Sequence, residues 1–207
     1  EHRVARLMRH GGIRAKTVTK WRATTQSQHR FPVAANTLDR AFTVAAPNRV
    51  WAGDLTYVWT MEGWLYLAVL LDLYSRRVVG WAMGPRLTGE LAEQALTMAL
   101  VNRIPRAGLV HHSDRGSQYA ATSYQRILDG YGLIPSMSRK GNCYDNAAME
   151  SFFRTLKAEC VDLHVFQSHH LARSIIFEFL EVYYNRQRLH STLAYCTPAA
   201  FEAAFFL

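Results

Sequence analysis

The chain has 207 residues, of which 49% are hydrophobic and 12% aromatic, a composition that supports a sizeable core and excludes wholesale disorder. Its longest apolar run, Trp64 to Leu71, is far shorter than the roughly 20 residues that a membrane span needs, and no apolar leader opens the sequence. We therefore expect an intracellular protein that is not held in a membrane. Because the first residue is Glu1 rather than Met, we also expect the natural start to lie upstream.

Positive charge is concentrated at one end of the chain. The formal net charge is +8, and residues 1–47 hold nine basic side chains against two acidic ones, which is +7 of that total. A basic segment of this kind favours binding to a polyanion such as nucleic acid, and the alternative is a solvated tail. The sequence therefore predicts a basic N-terminal arm, residues 1–47, ahead of a nearly neutral globular body.

Three cysteines, Cys143, Cys160 and Cys196, are odd in number and widely spaced. A disulfide framework or a zinc knuckle needs paired and closely spaced thiols. We therefore predict neither, and we expect all three cysteines to be buried as small apolar side chains.

The globular body begins with three predicted strands. β-Branched and aromatic residues dominate positions 50–60, a turn follows at 61–63, and residues 64–73 are almost continuously apolar, as in a strand buried on both faces. Another apolar segment follows a short turn and covers residues 78–83. Together these segments predict an antiparallel meander.

Helices and shorter extended segments follow. The apolar spacing of residues 88–101 predicts a helix, residues 109–112 a short strand, and residues 122 to about 131 a helix that stops at Gly132. The predicted order is therefore β-β-β-α-β-α.

Two more helices are predicted in the C-terminal part. The first spans about residues 146–160, with an inward stripe of Met149, Phe153, Leu156 and Cys160. Its polar edge falls within about 80° of arc and comprises Asn146, Glu150, Arg154 and Lys157. The second spans about residues 168–184, with an inward stripe of Leu171, Ile175, Phe179 and Val182.

Three acidic residues occupy positions that a packed α/β domain disfavours. Asp54 interrupts the first strand, Asp114 ends the fourth strand before a glycine-containing loop, and Glu150 lies on the polar edge of a helix. Each alone has another explanation: an ion pair with arginine, a turn aspartate or a solvated glutamate. Jointly they favour a metal site, because converging carboxylates repel one another unless cations neutralise them, and hard oxygen ligands select Mg²⁺ or Mn²⁺.

Three sequence blocks surround these acids: WAGDLTY at 51–57, HSDRGSQY at 112–119 and GNCYDNAAMESFF at 141–153. Asp54 precedes Asp114 by 60 positions, and 35 residues separate Asp114 from Glu150. In order and spacing these blocks strongly resemble the DDE transposases of bacterial insertion sequences, relatives of retroviral integrases. The resemblance runs from about Pro47 to the C-terminus and includes YYNRQRLHS, which ends at Ser191, and the later Thr-Pro pair.

The resemblance implies an α/β architecture with the ribonuclease H-like fold, a mixed five-stranded sheet flanked by helices. In this fold the strands bearing Asp54 and Asp114 lie side by side, and the helix with Glu150 packs across them. The implied domains are the arm at 1–47, an integrase-like catalytic core at 48–162 and a C-terminal helical extension at 163–207. The element order predicted from the residues agrees with this fold.

The resemblance also implies metal-dependent phosphodiester hydrolysis and strand transfer, the chemistry of DNA integration and transposition. Two Mg²⁺ or Mn²⁺ ions in each site would activate the nucleophile and relieve charge at the leaving oxygen. Asp54 would bridge both ions, Asp114 would hold one and Glu150 the other. No covalent protein intermediate is required.

The implied partners are double-stranded DNA, as transposon ends and as target, and further copies of the chain assembled on that DNA. Such transposases carry an upstream helix-turn-helix module, and Arg3 to Arg22 resembles its tail; a helix-turn-helix protein from an upstream frame is a further candidate partner. We expect a cytoplasmic location in a bacterium, at the nucleoid when DNA is bound. The zinc module of retroviral integrases has no counterpart, since His2 and His10 lack a nearby cysteine pair.

Polar residues around the three acids are candidate DNA contacts. Arg154 and Lys157 follow Glu150 by one and two helical turns and could reach phosphates, and residues 138–142 are predicted to form a mobile basic flap over the DNA. The full set of candidates is Gln118, Tyr119, Arg139, Lys140, Asn142, Arg154 and Lys157.

These candidates have simpler explanations as well. The charged ones could be ordinary solvated side chains, and Gln118 and Tyr119 could equally pack at the start of a helix. We expect His111 and His112 to be structural rather than metal ligands.

Two other functions stay open. The same fold and metal pair could serve a plain nuclease that lacks strand transfer, or the chain could be a non-catalytic DNA-binding remnant of a transposase. The presence of all three acids argues against the remnant.

Overall fold

A computed structural model describes residues 2–13 and 29–207. Its strands are β1 (Val50–Thr60), β2 (Gly63–Asp72), β3 (Val78–Gly84), β4 (Val110–Ser113) and β5 (Ile134–Met137). Its α-helices are α1 (His2–His10), α2 (Gly89–Arg103), α3 (Ser117–Ala120), α4 (Thr122–Gly130), α5 (Ala147–Glu159), α6 (His169–Glu178) and α7 (Pro198–Ala203). Across the described residues, none of the helices has both the length and the apolar character to span a membrane.

The five strands form one mixed sheet in the order β3-β2-β1-β4-β5. β1, β2 and β3 are antiparallel neighbours, so the predicted meander is confirmed. β4 pairs in parallel with β1, and β5 in parallel with β4. The residue pattern alone did not locate β5, because it has four residues and includes Pro135, which demotes a strand signal.

The sheet is covered on both faces. Leu67 and Val69 of β2 face a core that α5 and α6 complete, whereas Ala68 and Leu70 face a second core that α2 and α4 complete. Because successive residues of a strand point to opposite faces, a strand between two cores must be apolar throughout. This explains the continuous apolar run that predicted a central strand.

The predicted inward stripe of α5 is confirmed, since Met149, Phe153, Leu156 and Cys160 are all buried. The stripe predicted for the last helix is wrong in two of its members: Leu171 and Val182 are exposed. The buried face instead comprises Ala172, Ile176, Phe179, Leu180 and Tyr184. Two adjacent apolar stripes compete in this segment, and the chain changes from α6 to a π-helical turn at Phe179–Tyr184, which shifts the face that a regular helix would bury.

The last part of the predicted arm packs on the body of the protein. Leu38 is buried in the core beneath α5 and α6, and Phe42 and Val44 pack against it. The backbone N–H groups of Thr37 and Leu38 both donate to Ser136 Oγ, at 3.0 and 3.2 Å. The expectation that the whole arm stands apart from the body is therefore wrong for this stretch. Residues 14–28, which include four of the arm's basic side chains, lie outside the described residues.

The cysteine predictions had mixed outcomes. Cys160 is buried as expected, but Cys196 is exposed, because its backbone pairs with His190 in a surface turn. The side chain of Cys143 lies outside the described set.

Candidate active site

The sheet places Asp54 and Asp114 beside each other. β1 and β4 pair in parallel from Val50 opposite Val110 to Gly53 opposite Ser113. Asp54 is the next residue of β1, and Asp114 is the first residue after β4. Because parallel strands keep a common direction, the two carboxylates leave the ladder at the same point, which is the arrangement that the family resemblance implies.

The carboxylate of Asp54 accepts two hydrogen bonds from neutral groups. Oδ1 accepts the backbone N–H of Leu55 at 2.7 Å, and Oδ2 accepts Nδ2 of Asn146 at 3.1 Å. Burial raises the pKa of Asp54 well above its usual value, and the negative charges of Asp114 and Glu150 raise that pKa further. The charged form of Asp54 is therefore unfavourable, because Asp54 is buried and its negative charge is repelled by those of the other two acids.

A tight turn fixes the side chain of Asp114. Its Oδ1 accepts the backbone N–H of Gly116 at 2.8 Å. A Cβ at Gly116 would lie 2.9 Å from the same oxygen, so any larger residue there would force the Asp114 carboxylate to shift. The glycine-containing loop that singled out Asp114 in the sequence thus has a defined role.

Glu150 lies in the first turn of α5 and is exposed, and burial raises its pKa. Helix α5 packs on β1, which brings Glu150 near enough to act on the pKa of Asp54. In the part of the chain that the structure describes, however, no three His, Cys, Asp or Glu side chains already form a group that could hold a metal ion. The three acids converge without closing into a complete ligand set.

Asn146 differs from its predicted place. The sequence pattern put it on the polar edge of a helix, but it is buried in a 3₁₀ turn, Cys143–Asn146, that precedes α5. There its amide contacts Asp54. Asp145, beside it, is a buried residue that the sequence pattern did not single out; an Asp-Asn pair just before a helix is the one signal that could have drawn attention to it.

The candidate DNA contacts fall into two groups. Lys140 and Arg154 are exposed, and Gln118, Asn142 and Lys157 are half-buried; Lys157 Nζ lies 5.2 Å from the ring centre of Tyr57. Two others already have partners within the chain, although Arg139 is exposed. The Arg139 guanidinium binds Asp145 and Asp39, and the Tyr119 ring is buried against His111 and Tyr124, which favours the packing alternative for Tyr119.

Both histidines of the second block are structural, as expected. His111 Nε2 lies 2.9 Å from the hydroxyl of Tyr124, and burial lowers the His111 pKa to about 3. His112 contacts the Ser136 and Ser138 hydroxyls and the Asp145 carbonyl, and burial lowers its pKa as well. Each ring is bonded within the core, which supports a structural role for both side chains.

Two models of the integrase core domain match this chain, at residues 44–143 and 131–198. An uncharacterised 31 kDa protein of insertion element IS600 from Shigella sonnei is 53% identical over 98% of this chain and 75% of its own length. The transposase InsF of insertion sequence IS3A from Escherichia coli is 46% identical over 96% of this chain and 69% of its own length. The chain belongs to the DDE transposases of bacterial insertion sequences. The predicted family, the transposase function and the enzyme class, a polynucleotidyl transferase, are confirmed.

Solved structures confirm the predicted fold of this transposase. A chain of the simian T-cell lymphotropic virus intasome superimposes with a TM-score of 0.64 at 17% identity, over 86% of this chain and 60% of that chain. The catalytic core of HTLV-2 integrase, in complex with magnesium, superimposes with a TM-score of 0.54 at 15% identity, over 76% and 97%. The mixed five-stranded sheet is thus that of the ribonuclease H-like fold.

Proposed function

We propose that this transposase cleaves and joins DNA at the site formed by Asp54, Asp114 and Glu150, with divalent metal ions as cofactors. One observation carries the proposal: the charges of Asp114 and Glu150 both act on a partly buried Asp54 whose hydrogen-bond donors are neutral. Such an arrangement destabilises the metal-free site and is relieved by cations.

The donor set fits Mg²⁺ or Mn²⁺. All three acids offer hard carboxylate oxygens, and Asn146 Oδ1 beside them is buried without a hydrogen-bond partner. Asp54 would hold both ions, Asp114 one and Glu150 the other. Bound there, the ions would lower the pKa of an attacking water and stabilise the leaving oxygen. The magnesium complex of the HTLV-2 integrase core supports this choice of cofactor.

The protein's own part in the reaction is to hold the DNA in line with the three acids. Water would break a P–O bond at the end of the element and leave a 3′-hydroxyl. That hydroxyl would then attack a target phosphate, so that one P–O bond forms as another breaks. The protein provides no nucleophile in either step.

We infer that DNA is held by the exposed polar side of the site. Arg154 and Lys157 lie along α5 beyond Glu150, and Lys140 lies in the loop that precedes the 3₁₀ turn Cys143–Asn146. These side chains, with Gln118 and Asn142 at the rim, offer phosphate contacts on the side from which DNA would approach the acids. Further copies of this chain would assemble on the DNA, and the structural likeness to a chain of a viral intasome supports this.

We further propose that the arm adds sequence-independent attraction to DNA. It precedes a catalytic core at 48–162 and a helical extension of that core at 163–207. A helix-turn-helix module or protein would recognise the element's ends. Since residues 35–44 pack on the core, the informative truncation removes only residues 1–28, with seven basic side chains. If half of these contact phosphate, the slope of log affinity against log salt should flatten by about three units. Equal slopes for the two proteins would show that the segment is a passive tail.

The enzyme would work in the bacterial cytoplasm, at the nucleoid.

The test is a strand-transfer assay on a labelled DNA end with Mg²⁺. Asp54→Asn, Asp114→Asn and Glu150→Gln should each reduce cleavage and joining by about 10³-fold or more while the fold persists in a thermal melt. Asp162→Asn, at an exposed acid outside the site, is the matched control and should keep full activity. Cleavage in any of the three variants at the wild-type rate would contradict the assignment.

The same assay separates the alternatives. Wild-type protein that cleaves the end but never joins it to a target would be a plain nuclease. Protein that binds DNA and neither cleaves nor joins it in Mg²⁺ or Mn²⁺ would be a non-catalytic remnant.

A further inference from the structure

The short turn before α5 makes many hydrogen bonds close to the active site. It spans Cys143–Asn146, and its Asp145 side chain is completely buried. A buried carboxylate is costly unless its charge is matched. The groups that match it show what this residue holds together.

Two segments of the chain supply those groups, one close to Asp145 in sequence and one far from it. From the neighbouring loop, Arg139 donates its backbone N–H at 2.9 Å, Nε at 2.8 Å and Nη2 at 2.9 Å. From the segment ahead of β1, Arg40 donates Nε at 2.8 Å and Asn36 donates Nδ2 at 3.0 Å. The hydrogen bonds from Arg139, with those from Arg40, hold the pKa of Asp145 well below its usual range, so the carboxylate is a fixed anion that clamps residues 36–40 to the turn.

The backbone of the same turn contacts the strand that leads to Asp114. The carbonyl oxygen of Asp145 accepts from His112 Nε2 at 2.9 Å. The other ring nitrogen of His112 lies 3.0 Å from Ser136 Oγ. That hydroxyl oxygen is also the acceptor for the N–H groups of Thr37 and Leu38. The segment ahead of β1 therefore reaches the turn by two routes, one through Asp145 and one through His112.

The turn also contacts the acids themselves. Asn146, the next residue, donates Nδ2 to Asp54 Oδ2 at 3.1 Å, and Glu150 follows four residues later in the first turn of α5. A displacement of Asp145 would thus move the donor that orients Asp54 and the start of the helix that carries Glu150. Asp114 would be affected through His112, two residues before it.

We propose that Asp145 is a positioning residue, which couples residues 36–40 to the metal-binding geometry of Asp54 and Glu150. The inference rests on the proposed function of these acids. It also reassigns Arg139: its guanidinium acts through Asp145 rather than directly on DNA. Groups that orient metal ligands in this way typically cost about 10-fold to 100-fold in metal affinity or activity when they are removed.

The experiment measures Mn²⁺ affinity of the full chain by titration calorimetry, with DNA affinity and strand transfer measured on the same samples. Asp145→Asn keeps the shape of the side chain and removes its charge, and it should weaken Mn²⁺ binding by at least about 10-fold. Asp129→Asn, at an exposed acid on α4, is the matched control and should bind Mn²⁺ as the wild type does. A second variant, Arg40→Gln, changes a surface-exposed partner of Asp145, with 44% of its side chain exposed, and should show the same loss in smaller degree if Asp145→Asn does not fold.

The role of Arg139 is tested by combination. If Arg139 acts through Asp145, the double variant Arg139→Gln/Asp145→Asn should bind Mn²⁺ no more weakly than Asp145→Asn alone, and Arg139→Gln should leave DNA affinity within about twofold. An Arg139→Gln protein that loses DNA affinity and keeps Mn²⁺ affinity would overturn the reassignment.

The outcomes separate this inference from the proposed function. Wild-type affinity for Mn²⁺ in a folded Asp145→Asn or Arg40→Gln protein would overturn the positioning role and leave the metal site intact. A wild-type chain that binds no Mn²⁺ would instead overturn the proposed metal site.

Discussion

Two acidic sites of this protein have opposite electrostatic environments. Glu202 of α7 is buried but accepts both Nη atoms of Arg103, at 2.6 and 2.8 Å, and Nη1 of Arg77 at 2.9 Å. Burial alone would raise the pKa of Glu202, yet the hydrogen bonds from Arg103, with those from Ser75 and the charge of Arg77, outweigh it and lower that pKa. The negative charge of Glu202 is therefore matched, that is, balanced by positive charges of the protein itself.

Asp54, four residues beyond the start of β1, has the opposite environment. Its hydrogen bonds come from neutral donors, its nearest charged influences are other acids, and its pKa is raised. Burial disfavours the charged form of both acids; at Glu202 the arginine partners outweigh that effect, whereas at Asp54 the neighbouring acids add to it. An acid that serves the fold has its counter-charge built into the protein, whereas an acid that serves a ligand leaves that charge for the ligand to supply.

The largest expected effect on stability comes from breaking the matched group. Glu202→Gln removes the negative charge that Arg103 and Arg77 share and leaves two partly buried guanidinium groups without it. We expect the free energy of unfolding to fall by about 3 kcal/mol, as measured by urea denaturation. Glu178→Gln, at an exposed acid of α6, should change it by less than about 0.5 kcal/mol. Equal effects of the two substitutions would show that the ion pairs contribute little.

Part of the fold and part of the candidate site could be predicted from the sequence pattern alone. The acids at 54 and 114 could be found because a carboxylate within an apolar strand or at its end is conspicuous, and the meander could be found because β2 is apolar on both faces. The helix face of α5 followed from its spacing in the same way. Each of these signals depends on residues that are close together in the sequence, so the sequence pattern reveals it.

The missed features depend on distant partners. Asp145 gains its role from Arg40, 105 positions earlier, and Leu38 is buried only because α5 and α6 complete the core around it. No periodicity precedes Leu38, so its segment was assigned to a free arm. The sequence shows which residues are unusual, but tertiary pairing decides which of them gain a counter-charge from the fold.

His111 is buried in its neutral form, and lowering the pH should reveal the cost of protonating it. Burial lowers the pKa of His111 to about 3 in the folded protein, against about 6.5 when unfolded. The unfolded chain therefore binds more protons between these values, so stability present at pH 7 is lost as the pH falls. We expect a loss of about 2 kcal/mol from His111 between pH 6.5 and pH 5. In urea denaturation His111→Gln should remove that part of the pH dependence, and the same pH dependence in both proteins would contradict the argument.

A smaller effect of opposite sign is expected at the unmatched acid. Asp54→Asn removes a charge that Asp114 and Glu150 repel, and the new amide could donate to Asn146 Oδ1, which is buried without a partner. Without metal ions, we expect the free energy of unfolding to rise by about 1 kcal/mol, while activity is lost. With Mn²⁺ added, the wild type should gain stability and the variant should gain less. A destabilised variant in metal-free buffer would mean that Asp54 is matched by the fold after all.

The smallest effect concerns a positive charge that the fold leaves available. Lys157 lies two turns beyond Glu150, and the ring of Tyr57 holds its ammonium group near β1, so the charge is positioned without being neutralised. Lys157→Ala should weaken DNA binding by about threefold and reduce the salt slope by about one unit, since one phosphate contact is lost. Lys157→Arg keeps both the charge and the ring contact and should bind DNA as the wild type does. Because the ammonium is not a metal ligand, Mn²⁺ affinity should be unchanged in both variants. Unaltered DNA binding by Lys157→Ala would show that this lysine is an ordinary solvated charge.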